Sequence, residues 1–170
     1  MSETTADRLR SLLGSDVYTQ KGRLRADDLL IRERVRHGLG EATARLRQLT
    51  SQWRADRVPP STRAQPFPPA EVMEPIRRAE RLGRAIDEVS TAVGGLPLLN
   101  QDRVWDRVRS VGLDELLQFD WTMVGESDAL AAALAACSVL DEIDIGATEE
   151  RISRLREAIG DRCRYLEILA

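Results

Sequence analysis

Six of the seven prolines fall between residues 59 and 75. A proline inside a helix removes a backbone hydrogen bond and clashes with the preceding turn. No helix therefore crosses "RVPPSTRAQPFPP", and residues 57–70 read as a connection between a first long helix and the rest of the chain. On either side the pattern is helical.

From about Ala26 to Asp56, apolar residues recur at Ile31, Val35, Leu39, Ala42, Leu46, Leu49 and Trp53. Steps of four and three residues make this a near-heptad seam with one stutter. Asp27 and Asp28 suit the positive end of the helix dipole. Gly38 and Gly40 weaken the middle by about 1 kcal/mol each relative to alanine. A kink or a close helix contact would explain them. After the prolines a second helix is expected to start between Glu71 and Pro75 and run to Val93, burying Ile76, Ala79, Leu82, Ile86, Val89 and Val93. Gly94-Gly95 followed by Pro97 stops it.

Shorter elements fill the remainder. An N-terminal helix carries Leu9, Leu12 and Leu13, and Val17, Tyr18 and Thr19 before Lys21-Gly22 can form a small hairpin over residues 16–25. Asn100 is expected to cap a helix ending near Gly112, and another spans 113–124 before Gly125. Ser127 and Thr148 are expected to cap two more, the last with a seam of Ile152, Leu155, Ile159, Leu166 and Leu169. The expected fold is a single all-α domain over residues 1–170. It is a helical bundle of two or three long antiparallel helices with shorter ones at the far end.

Charge is divided unevenly. Residues 1–85 carry a net +6 and residues 86–170 a net −9, within an overall −3. Such halves can pair within the chain, between subunits or with a charged partner. The acidic total argues against a dedicated nucleic-acid binder, and aromatic residues at 4% leave few platforms for base stacking. Cys137 and Cys163 are too few for a disulfide framework and are expected to be inert. No secretory signal is visible in the first thirteen residues, which contain Asp7, Arg8 and Arg10, and no apolar run reaches membrane-spanning length. The expected location is cytoplasmic.

Catalytic chemistry finds little support. His37 is the sole histidine, so zinc ligation is disfavoured. No nucleotide-binding loop or nucleophile motif is present. Glu71 and Glu74 have the one-turn spacing of carboxylate metal enzymes, but they lie at a proline-rich helix start, where dipole complementation explains them. Three Asp-Glu pairs, at 87–88, 114–115 and 141–142, each sit between apolar residues three apart. This is the solvent side of a heptad-like helix rather than an acid site. No catalytic, cofactor or metal residue is expected.

Two constellations suggest contacts. On the first long helix, Arg25, Arg32, Arg36, Arg47, Arg54 and Arg57 fall on one face about a quarter turn from the apolar seam. They can pair with the acidic half of this chain or a partner subunit, or meet nucleic-acid phosphates or anionic lipid. Phe119, Trp121 and Met123 lie within five residues, which suits a core corner or a groove for a partner helix. The reading that follows is a non-catalytic helical interaction protein: an adaptor, regulator or assembly subunit that meets another protein, or itself, by helix–helix contact. The alternatives are a helical protein docked on nucleic acid or anionic membrane, and a carboxylate metal enzyme.

Overall fold

A computed structural model describes residues 5–13, 24–63, 65–96 and 112–169. They form five α-helices: α1 (Thr5–Leu13), α2 (Leu24–Arg57), α3 (Ala70–Gly94), α4 (Leu113–Ala136) and α5 (Ile145–Leu169). A 3-10 turn, Leu140–Glu142, precedes α5. The described residues contain no strand, so the chain is all-helical there, as the periodicity implies. The expected hairpin falls on residues outside the described ones, except that Leu24 and Arg25 already belong to α2. The helix expected near residues 100–111 also lies outside them.

α2 packs against α3 and α4, α4 against α5, and α5 against α3, so the four long helices surround one core; α1 lies on α4. The α2–α3 contacts run in opposite sequence order. Arg32 reaches the Leu96 carbonyl, Arg47 lies beside Asp87, Arg54 beside Glu80, and Trp53 donates to the Val72 carbonyl. The α2–α4 contacts run in the same order, with Arg34 on Asp128 and Arg45 on the Cys137 carbonyl.

The seams fill this core. Ile31, Val35, Leu39, Ala42, Leu46 and Leu49 of α2 are buried, as are Ile76, Ala79, Leu82, Ile86, Val89 and Val93 of α3. Each fully buried aliphatic side chain contributes roughly 1.5–3 kcal/mol, which dominates helix propensity in deciding these boundaries. Gly38 is a close-approach position. A Cβ there would lie 3.2 Å from the Ser127 backbone of α4. Gly40 faces open space, so it weakens α2 without a packing reason.

Two expected boundaries differ. α4 runs unbroken through Gly125, and Ser127 is buried with its hydroxyl donating to the Val124 carbonyl instead of capping a new helix. Burial of Leu116, Leu117, Met123, Val124, Leu130 and Leu134 on one continuous face outweighs the cost of one glycine. α5 starts at Ile145, and Asp144 rather than Thr148 caps it, its Oδ1 accepting from the Ala147 amide at 3.0 Å. Thr148 is turned back onto the Asp144 carbonyl.

Candidate functional site

The arginine face of α2 divides. Arg32 turns inward: it is 6% exposed, lies 2.7 Å from Asp28 one turn earlier, and donates to the Leu96 carbonyl at 2.6 Å. Arg36, Arg47, Arg54 and Arg57 stay on the surface. Arg47 lies 3.9 Å from Asp87, in the acidic half, whereas Arg54 meets Glu80 of the basic half at 2.5 Å. Arg57 covers the Trp53 ring at 5.3 Å. The side chain of Arg25 is outside the described residues.

Arg47 and Arg54 border a groove of about 410 Å³ between α2 and α3, and α3 adds Arg84. The groove exists because α3 presents small residues there. Its floor is Leu46, Ala79 and Gly83, and a Cβ on Gly83 would meet only the tip of Leu46 at 3.8 Å. Thr43, Thr50 and Ser51 supply hydroxyls, of which that of Thr50 is committed to the Leu46 carbonyl. Glu80 and Asp87 partly balance Arg54 and Arg47. Arg84 makes no ion pair among the described residues. The groove thus has a narrow, largely covered floor between rims on which three arginines stand beside two carboxylates.

The aromatic cluster does not gather in one place. Phe119 packs edge-on against Tyr165 of α5, with ring centroids 5.8 Å apart. Trp121 lies beneath the Arg8 guanidinium of α1 at 5.8 Å. Met123 is buried in the core. Phe119 and Met123, one turn apart, share one side of α4 and Trp121 lies nearly opposite, and both sides are engaged within the chain.

The most unusual feature was not anticipated from sequence. Arg162 of α5 is 1% exposed and donates to Asp120 of α4 at 2.8 Å and to Asp28 of α2 at 2.5 Å. Asp28 also meets Arg32. Three helices are thus joined by a buried network of two carboxylates and two guanidiniums. Asp27, beside it in sequence, is buried as well. A signal was present: each of these charges occupies a slot of an apolar seam. Arg162 lies between Ile159 and Leu166, Asp120 between Leu116 and Val124, and Asp28 three residues before Ile31. A charge in a core slot is tolerated only with a partner.

Other titratable groups are surface groups or half-buried. Glu74 accepts from Arg78 at 3.1 Å, and that hydrogen bond holds its carboxyl below the ordinary range despite partial desolvation. It sits in an arginine cluster, while Glu71 is exposed. The three Asp-Glu pairs are all exposed. Cys137 and Cys163 are half-buried free thiols, both pushed up by burial. His37 is exposed beside Glu41. Among the described residues no group of three His, Cys, Asp or Glu side chains could hold a metal ion, and no helix is long and apolar enough to cross a membrane. No family model, curated protein or solved structure matches the chain.

Proposed function

We propose that this is a non-catalytic interaction protein, an adaptor or assembly subunit whose α2–α3 groove receives a partner helix with an apolar face and acidic flanks. The observation that carries this reading is the groove itself: a depression of about 410 Å³ above Leu46, Ala79 and Gly83, edged by the exposed Arg47, Arg54 and Arg84. The heptad-like seam of α2 is spent inside the chain's own core. What α2 offers outward is its charged flank.

The triple variant Arg47→Glu/Arg54→Glu/Arg84→Glu tests this. Wild type is expected to retain a specific protein from the native host, and the variant to lose it. Equal retention by both would sink the reading.

A second reading places the same exposed arginines, with Arg36, on nucleic acid or anionic lipid. It is favoured by Arg84 having no ion pair among the described residues. Salt-sensitive binding to duplex DNA or phosphatidylserine vesicles, lost in the same variant, would support it.

A further inference from the structure

The buried ion network lies at one level of the bundle and reaches α2, α4, α5 and the end of α3. Arg162 of α5 donates through Nε to Asp120 of α4 at 2.8 Å and through Nη2 to Asp28 Oδ1 of α2 at 2.5 Å. The other oxygen of Asp28 lies 2.7 Å from Arg32. Arg32 in turn donates to the Leu96 carbonyl, just past α3, at 2.6 Å. Both carboxylates are fully buried, and both guanidiniums nearly so. Taking such charges out of water offsets much of what their mutual attraction returns. Apolar residues of similar volume often serve stability as well or better. Net stability is therefore a poor reason for this layer.

The apolar seams leave a task for it. Along α5 the buried residues Ile152, Leu155, Ile159, Arg162 and Leu166 advance by three or four positions, and along α4 so do Leu116, Asp120, Val124, Ser127, Leu130 and Leu134. Apart from Arg162, the α5 seam is Ile and Leu, which replace one another in a core at little cost. The two helices run antiparallel, with Asp120 opposite Arg162 and Glu126 opposite Arg151 and Arg154. A slip of α5 by one turn, about 5.4 Å, would set Ile159 or Leu166 opposite Asp120. Most of the remaining seam would stay apolar against apolar. The Glu126 pairs are half-exposed, so water can replace them. The buried layer cannot adapt in that way. The slip would carry Arg162 to the level of Leu117 or Val124, both buried, and leave Asp120 and Asp28 without it. A core does not tolerate a buried charge deprived of its partner. One polar residue in a seam slot fixes helix register in coiled coils for the same reason.

We propose that the Asp28–Arg32–Asp120–Arg162 layer is a register lock. It selects one alignment of α5 against α2 and α4 from several that the apolar seams accept. Its contribution is to the uniqueness of the packing and not to net stability. The lock is separate from the α2–α3 groove and does not depend on its role.

Nuclear magnetic resonance of two variants, with thermal melts alongside, tests the proposal. Asp28→Leu/Arg32→Met/Asp120→Leu/Arg162→Met replaces the whole layer by apolar side chains. It is expected to stay helical, with a melting midpoint no lower than that of wild type. Its α5 amides should nevertheless give doubled or broadened cross-peaks, where wild type gives one sharp peak each. The contact between the Phe119 and Tyr165 rings, 5.8 Å apart in the native register, should weaken with them. Arg162→Met/Asp120→Leu cuts only the tie between α4 and α5, and the doubling is expected on those two helices. In that variant the Trp53 indole, which donates to the Val72 carbonyl between α2 and α3, should keep a single peak. Doubling that extends to this indole would mark general loosening and overturns the proposal. A quadruple variant with single peaks and the ring contact intact also overturns it, because packing and the connection would then set the register unaided. So does a quadruple variant that melts well below wild type, because the layer would then supply net stability.

Discussion

Replacing Arg162 with methionine is expected to be among the most damaging single changes in the protein. The guanidinium is 1% exposed and serves two carboxylates on different helices, Asp120 at 2.8 Å and Asp28 at 2.5 Å, both 0% exposed. Methionine matches much of its length but supplies no donor. Removing one partner from a buried ion pair costs about 3–5 kcal/mol, because the charge left behind loses both water and its counter-ion. That is a large part of the roughly 5–15 kcal/mol that holds a domain folded. At about 2–4 °C per kcal/mol for a chain of this size, the midpoint should fall by about 6–20 °C. The assay is urea and thermal unfolding followed by far-ultraviolet circular dichroism. Arg47→Met is the control. Arg47 is 76% exposed, so its loss should cost no more than about 0.5 kcal/mol. The double variant Arg162→Met/Asp120→Leu removes one of the two stranded carboxylates, while Asp28 keeps Arg32 at 2.7 Å, and should recover more than half of the loss, because apolar replacement of a buried pair is often neutral or better. An Arg162→Met protein within about 1 kcal/mol of wild type would mean that the buried guanidinium does not hold these helices together. So would losses that simply add in the double variant, since that outcome means no coupling.

Other changes follow from local geometry. Gly38→Ala should destabilise by about 1–3 kcal/mol, as overpacking does, because its Cβ meets the Ser127 backbone at 3.2 Å; Gly40→Ala, facing open space, should stabilise by up to about 1 kcal/mol, both read from urea midpoints. Tyr165→Phe removes the 2.7 Å hydrogen bond to the Gly112 carbonyl and should cost about 1 kcal/mol. Burial, with the nearby Glu115 carboxylate, pushes the Tyr165 phenol above its ordinary value, so the folded state holds that proton more tightly. Its contribution is full below the usual tyrosine value of about 10 and is lost as pH rises toward the higher folded value. Unfolding midpoints on either side of pH ~10 should therefore fall less steeply in Tyr165→Phe than in wild type.

The helical character and the positions of α2 and α3 were legible because their apolar residues keep step for many turns and proline marks the gap between them. Predicted Ala26 to Asp56 is observed Leu24–Arg57, and the start between Glu71 and Pro75 is observed at Ala70. From sequence α4 reads as two helices, because Gly125 and Ser127 look like a stop and a start. Tertiary burial of one unbroken face decided otherwise. The arginine stripe was readable as a face but not in its division. Helical phase alone cannot show that Arg32 turns toward Asp28 and the Leu96 carbonyl while Arg47 turns to the groove. The groove itself depends on two small residues of α3, Ala79 and Gly83, facing α2 across the interface, a relation that becomes visible only once the two helices are packed. The ion network was harder still. Its members are separated by up to 134 residues, and the hint lay in charges occupying apolar slots.

The α2–α3 groove is the proposed surface for a partner. A photo-activatable cross-linker at Thr50, inside the groove and with a hydroxyl that bonds only back to the Leu46 carbonyl of its own helix, probes it in the native host. One dominant cross-linked protein is expected, joined through a helix with acidic flanks and absent when Arg47, Arg54 and Arg84 are replaced by glutamate. Cross-links spread over many unrelated proteins, or a dominant product that persists in the charge-reversed variant, would contradict it.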